Sequence, residues 1–328
     1  MEQLISLFLP VSLWFQSAGE WIIIPMKIIT FLGDEAFYLL VMPALYWCLS
    51  RDWGLQIGFL LLISGGLNSL LKLTFQSPRP FWVDPGVKGL VNSKSFGFPS
   101  GHAQNAASLW GLAAWGSRSR LIKLLFSLLV LLIGLSRLFL GVHFLHDVLA
   151  GWIVGILVLI GYLALRDRFL NWFQTLSNRV KVLFTFTTSL GPIILGLLLT
   201  SPLLARPIPP VWLQGTDVAL APFSLDGLIT ISGTTFGLGS GVILFSPIEQ
   251  DWFPGNRIQK VGRYLLGLTG VLVFWAGLKA VFPDGASSAA LTLRYFRYAL
   301  IGLWITAGAP WLFLTCGLSG PATSQKQA

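Results

Sequence analysis

Long apolar runs separated by short polar breaks dominate the chain. Runs at about 33–50, 54–74, 101–117, 121–141 and 147–165, then 182–200, 219–246, 264–282 and 296–316, each predict a membrane-spanning helix, because about 20 apolar residues cross the hydrocarbon core of a bilayer. None of these runs alternates apolar with polar residues, and an open sheet edge finds no hydrogen-bond partner in hydrocarbon, so strands are excluded. Two shorter stretches, Leu4–Phe15 and Trp21–Leu32, are broken by Pro10, Glu20, Pro25 and Lys27. They predict interfacial or re-entrant helices, with a tenth span if residues 4–31 cross together. Gln76–Pro99 is the long polar interruption of the first half, the Pro-rich Ser201–Leu225 is expected at the interface, and Ser319–Ala328 reads as a frayed polar tail.

Composition supports the same class. The 328 residues are 54% hydrophobic and 11% charged, with a mean hydropathy of +0.74, whereas soluble domains carry about 25% charged residues. A soluble two-domain protein, a disordered chain and a disulfide-stapled secreted module are all excluded. The fold class expected is all-α: a polytopic integral membrane protein. Cys48 and Cys316 have no zinc or redox spacing. Glu2 occupies the place of a signal peptide's basic segment, so the apolar runs themselves are expected to direct insertion.

The net charge of +9 invites a nucleic-acid reading. The basic residues, however, lie between apolar runs, where they set topology instead. With nine spans, Arg51, the group Arg118, Arg120 and Lys123, the group Arg166, Arg168, Arg179 and Lys181, and the group Arg257, Lys260 and Arg263 share one face. That face is expected to be cytoplasmic, as is the C-terminus. Residues 76–99 and 141–146 then face the other side, and Arg294 and Arg297 are the misfit.

The chemistry gathers on that other side. The three histidines, His102, His143 and His146, lie there, beside Lys72, Arg79 and Arg137 at span ends. Cations against apolar spans need an anion or water, and several of them with few carboxylates point to an oxyanion site. Phosphate fits: Arg79 and Arg137 offer planar forks, and Lys72 a compact charge. Ser100 can cap a helix whose free N–H groups, exposed beside Gly101, complete the cradle. His143 and Asp147 are four residues apart and share a helix face. An Asp that accepts from one imidazole nitrogen leaves the other free as a nucleophile, and His102 is then available to protonate a leaving alcohol. Lys72, Arg79, Ser100, Gly101 and Arg137 can stabilise the transferring group with no metal.

These residues read K-x6-R-P at Lys72–Pro80, P-S-G-H at Pro99–His102 and S-R-x5-H-x3-D at Ser136–Asp147. The ordered set resembles the three-part signature of the type 2 phosphatidic acid phosphatase and vanadium haloperoxidase superfamily. The run G-L-S-R-L-F-L-G-V-H-F-L-H-D is similar to the polytopic branch that includes glucose 6-phosphatase and sphingosine phosphate phosphatases. The resemblance implies a helical-bundle phosphatase core over 33–165, between interfacial helices at 1–32 and a C-terminal transmembrane region at 166–328 for which no motif transfers. It implies that His143 becomes phosphohistidine, that Asp147 orients it, that His102 is the acid and then the base, and that the five oxygen-directed groups bind phosphate. No cofactor is implied. The expectation is a multi-pass phosphatase of a bacterial inner membrane. Its site opens on the extracytoplasmic face, its substrate is a lipid phosphate or pyrophosphate, and its partners are membrane lipids rather than nucleic acid. A soluble sugar phosphate, transfer to an acceptor other than water, and an anion transporter or binding protein stand as alternatives.

Other features have plainer readings. His146 is expected to pack or hydrogen-bond within its helix, with a supporting contact to the site as the alternative. Zinc on His143, His146 and Asp147 is disfavoured because the nearby cations would repel it. Asp34 and Glu35 are read as interfacial, with a salt bridge to a site cation as the alternative. Gly233, Gly237, Gly239 and Gly241 follow no strand, and their G-x3-G spacing predicts close helix packing rather than a nucleotide loop. Lys279 is expected to snorkel. Trp82, Trp212 and Tyr295 fit an interface belt.

Overall fold

The computed structural model describes residues 2–214, 220–245 and 255–318; the tail predicted at 319–328 lies outside the described residues. Among the described residues there is no strand. The helices are α1 (Glu2–Gln16), α2 (Ile23–Phe31), α3 (Glu35–Cys48), α4 (Arg51–Phe75), α5 (Pro80–Val83), α6 (Gly101–Gly116), α7 (Arg120–Phe139), α8 (Leu145–Gln174), α9 (Asn178–Leu199), α10 (Val211–Gln214) and α11 (Asp226–Phe245). After these, α12 (Arg257–Leu272) runs through a π-helical turn into α13 (Leu278–Val281), and α14 (Ser288–Leu303) through another into α15 (Ala309–Thr315).

Helices occupy all nine predicted runs. Among the described residues, however, seven are long and apolar enough to cross a membrane: Arg51–Val83, Arg120–Phe139, Leu145–Gln174, Asn178–Leu199, Asp226–Phe245, Arg257–Val281 and Ser288–Thr315. An eighth is added if the stretches Leu7–Gln16 and Glu20–Phe31, bent by 87°, form one span. The two that fall short are α3 and α6, with 14 and 16 residues. At about 1.5 Å per residue they reach roughly 21 and 24 Å, below a hydrocarbon core of about 30 Å. In α6 the composition misled for a physical reason. Its apolar residues are mostly small, and Gln104, Asn105 and Ser108 are buried beside them, so protein rather than lipid covers much of it.

The described residues fall into two compact units. The first comprises Met1–Tyr38, Ile63–Arg166 and Leu195–Leu225. Its apolar centre groups Met26, Phe81, Trp82, Val87, Phe96, Leu140 and Val142. Trp82, assigned to an interface belt on sequence, is fully buried there. A polar stripe on α4 ties that helix to α6. The Ser64 hydroxyl donates to Asn105 Oδ1 (2.7 Å), the Gln104 amide to the Ser64 carbonyl (2.7 Å), and the Asn68 amide to Gln104 Oε1 (2.9 Å) and the Pro99 carbonyl (3.2 Å). Where apolar burial contributes little, interhelical hydrogen bonds of this kind are worth about 0.6–2 kcal/mol each. Small residues then bring α8 against α6. A Cβ on Gly151 would meet the Ser100 carbonyl oxygen at 2.6 Å, and one on Gly155 would overlap that of Gln104. Between α7 and α8 the chain turns at Gly141, whose φ of +68° suits glycine and whose missing Cβ makes room for the Lys88 carbonyl.

The second unit comprises Leu39–Leu62, Asp167–Ile194 and Asp226–Ala328. Here the expected glycine packing is found. A Cβ on Gly233 or Gly237 of α11 would overlap the carbonyl of Tyr295 or Ala299 on α14, and one on Gly241 would overlap the Thr306 hydroxyl. Tyr295 is buried rather than interfacial, its hydroxyl 2.7 Å from that of Ser189. Arg294, the topological misfit, pairs with Asp226 at 3.0 Å, and the Arg297 guanidinium lies over the Tyr298 ring at 5.1 Å.

Candidate active site

Every residue assigned to the chemistry falls in the first unit, and local structure explains how each gets there. Lys72 ends α4. Arg79 is the residue before α5, whose Pro80 starts the helix with no N–H to lose. Ser100 caps α6 as expected, its hydroxyl accepting from the Ala103 N–H at 3.5 Å. Arg137 stands in the last turn of α7, His143 in the turn that follows, and Asp147 in the first turn of α8. The Ser100 N–H donates to the Asp147 carbonyl (3.0 Å), which joins the start of α6 to the start of α8.

His143 sits between an anion and a cation. Its Nδ1 is 3.4 Å from Asp147 Oδ2, and its Nε2 is 3.3 Å from Arg79 Nη1. With the proton assigned to Nδ1, that ring edge donates to the carboxylate and the Nε2 lone pair faces the guanidinium. Asp147 is itself fixed: it is fully buried, Oδ2 also accepts from the Phe144 N–H (2.9 Å), and Oδ1 lies 3.2 Å from His146 Nε2. Burial holds the His143 imidazole well below its ordinary range, and Arg79, Arg137, Lys72 and His102 push the same way. The ring is therefore neutral, the form a nucleophile needs.

The cations are built in rather than loose. Arg79, 3% exposed, donates from Nε to the Ser95 carbonyl (2.6 Å), from Nη1 to the Val142 carbonyl (2.8 Å), and from Nη2 to the Ser95 hydroxyl (3.2 Å) and the Phe96 carbonyl (3.1 Å). Lys72 Nζ donates to the same Ser95 hydroxyl at 3.2 Å. Arg137 Nη1 donates to the Thr30 hydroxyl at 2.6 Å, while its Nε is buried with no hydrogen-bond partner among the described residues. A buried guanidinium N–H left over is a donor suited to an oxyanion.

Three further residues join the set. Ser95 bridges Lys72 and Arg79, and Thr30 holds Arg137; a lone hydroxyl in a polar loop or a short apolar helix carries no sequence pattern that marks it. Asp34, for which a salt bridge at the site was the alternative to an interfacial place, has its Oδ2 3.6 Å from His102 Nε2. His146 combines its two readings: its ring stacks on Phe98 and Phe144 at centroid distances of 5.9 and 5.4 Å, and its Nε2 supports Asp147 Oδ1 at 3.2 Å. Gly101 has a packing reason beyond its N–H, since a Cβ there would lie 2.9 Å from Asn68 Oδ1. A cavity of about 470 Å³ adjoins the site through Thr30 and Asp34; Lys27 and Asn92 add to its polar lining, Phe31 and Leu90 to its apolar lining.

Known proteins resemble this chain along two stretches. Residues 53–170 match the PAP2 superfamily, and residues 229–322 match the PAP2 superfamily phosphatase transmembrane extension. Phosphatidylglycerophosphatase B of Bacillus subtilis (strain 168) is 30% identical over 153 residues, 42% of this chain and 72% of that protein. Glucose-6-phosphatase 3 of Mus musculus is 27% identical over 329 residues, 88% of each chain. A probable sphingosine-1-phosphate phosphatase of Dictyostelium discoideum is 31% identical over 145 residues, 40% of this chain and 35% of that protein. The second match runs along most of both chains, and all three carry phosphatase names. This chain belongs to the PAP2 superfamily, as a multi-pass membrane phosphatase with the family's transmembrane extension.

Proposed function

We propose that the protein hydrolyses a lipid phosphate monoester, or the terminal phosphate of a lipid pyrophosphate, through a phosphohistidine. The observation that carries this reading is the clamp on His143, with Asp147 at one ring nitrogen and Arg79 at the other. Nε2 attacks phosphorus while the bond to the leaving oxygen breaks and His102 gives that oxygen a proton. Water then attacks the phosphohistidine and passes a proton back to His102, the N–P bond breaks, and inorganic phosphate leaves. Lys72, Arg79 and Arg137, with the N–H groups at the start of α6 near Ser100 and Gly101, hold the phosphoryl oxygens through both steps. Asp147 keeps Nδ1–H bound, and so keeps Nε2 free.

A lipid substrate is supported by the site's place at the ends of apolar helices, where a headgroup can enter while its tail stays in hydrocarbon. The basic connections support an extracytoplasmic opening, which in a bacterium is the outer side of the inner membrane. A sugar phosphate is the second reading, favoured by the match to mouse glucose-6-phosphatase 3 along most of both chains.

The test is phosphate release by the purified protein in detergent with EDTA present. The substrates are phosphatidic acid, an isoprenoid pyrophosphate, a sphingoid phosphate and glucose 6-phosphate. Release that vanadate blocks and His143→Ala abolishes supports the mechanism. Unchanged turnover in His143→Ala removes His143 from it, and turnover of glucose 6-phosphate alone selects the second reading.

A further inference from the structure

The proposed acid lies among cations. His102 stands at the start of α6, and the charges that act on its ring come from Arg137 on α7 and Lys72 on α4, with His143 in the turn before α8 as the other titratable neighbour. A protonated ring in such company needs a negative charge. Asp34, in the turn between α2 and α3, is placed to supply it. Its Oδ1 accepts from the Ala36 N–H at 2.9 Å, which fixes the carboxylate, and its Oδ2 reaches to 3.6 Å from His102 Nε2. The turn lies close to the ring: a Cβ on Gly33 would lie 3.6 Å from His102 Cδ2. Asp34 also lines the 470 Å³ cavity, together with Thr30, whose hydroxyl accepts from Arg137.

We propose that Asp34 is the positioning residue for His102. It pairs with the protonated ring on its Nε2 side and balances the charge, so that Nδ1–H faces the leaving oxygen, and the cavity beside it receives the departing alcohol. The site is then built on two carboxylate–imidazole pairs, Asp147 with the nucleophile and Asp34 with the acid. This rests on the reading of His102 as general acid.

The experiment compares two substrates in one preparation of the full-length protein in detergent, octyl phosphate and 4-nitrophenyl phosphate. Alkoxide departure needs a proton, whereas nitrophenolate leaves without one. Asp34→Asn is expected to lower kcat/KM for octyl phosphate by about 10–100-fold, a part of the 10²–10⁴-fold that a general acid supplies. It should change the nitrophenyl ester by less than about 3-fold, a ratio set by that same dependence on the acid. The alkaline limb of the octyl phosphate profile should move to lower pH, and Asp34→Glu should restore part of the ratio. Because the ratio is taken within one sample, partial misfolding cancels. Equal losses on both esters, or no loss on either, overturn the role of Asp34. His102→Ala separates the two levels of the argument: if it lacks the same asymmetry, the acid assignment itself fails, whereas asymmetry in His102→Ala without asymmetry in Asp34→Asn removes Asp34 alone.

Discussion

At the scale of single residues, the neutrality of His143 has a consequence for stability. Its folded value lies well below the ordinary one, whereas the unfolded chain binds the same proton near pH 6.5, roughly the free value. Between the two values the unfolded state holds more protons, so stability rises with pH across that window. The contribution is complete above about pH 6.5 and erodes as the pH falls toward the folded value. The thermal midpoint in detergent should therefore drop between pH 7 and pH 5, and drop less in His143→Asn, which has no proton to take; equal drops would contradict a buried neutral ring. Identity and spacing made His143, Asp147, Arg79 and His102 legible in the chain. Ser95 and Thr30 were not, because a hydroxyl that holds a guanidinium looks like any other until the loop folds back. Asp34 was visible as a charge at a span end, but the distance that gives it meaning is tertiary.

At the scale of elements, the site depends on how closely α6 and α8 approach. Gly155→Ala puts a methyl group onto the Gln104 carbonyl and should cost about 1–3 kcal/mol as overpacking does, with a fall in turnover because His102 and Asp147 sit at the ends being pushed apart. Gly161→Ala on the same helix meets nothing within 4 Å and should leave both melting and turnover unchanged. If the two variants behave alike, close packing at Gly155 does not set the site. The spacing Gly151–x3–Gly155 was readable in the same way as Gly233–x3–Gly237, but the second pair drew notice because it sits in a glycine cluster. Ser64, Asn68 and Lys72 also recur every fourth position. That stripe marks a helix face, and only the fold shows that its first two members bind α6 while the third turns toward Ser95.

At the scale of the whole molecule, apolar run length and hydropathy were enough to give the class, and the three-part signature was enough to give the family. The count of spans was less secure, since α3 and α6 are apolar in composition yet short. Residues 229–322 carried no motif that could be transferred, and their match to the family's transmembrane extension came from comparison alone. Orientation is open to a direct measurement. In a Cys48→Ser, Cys316→Ser background, a cysteine placed at Lys94 should react with an impermeant maleimide from outside intact cells, whereas one at Arg120 should react only after the membrane is opened. The reverse pattern would put the site on the cytoplasmic side.

The amide-to-carbonyl link from Ser100 to Asp147, with the tight glycine contact behind it, fastens the two helix starts that carry His102 and Asp147. Moving either helix start without the other would break that bond, so His102 and Asp147 are carried as one piece, and a shift of α8 should reach the imidazole at the head of α6 as well.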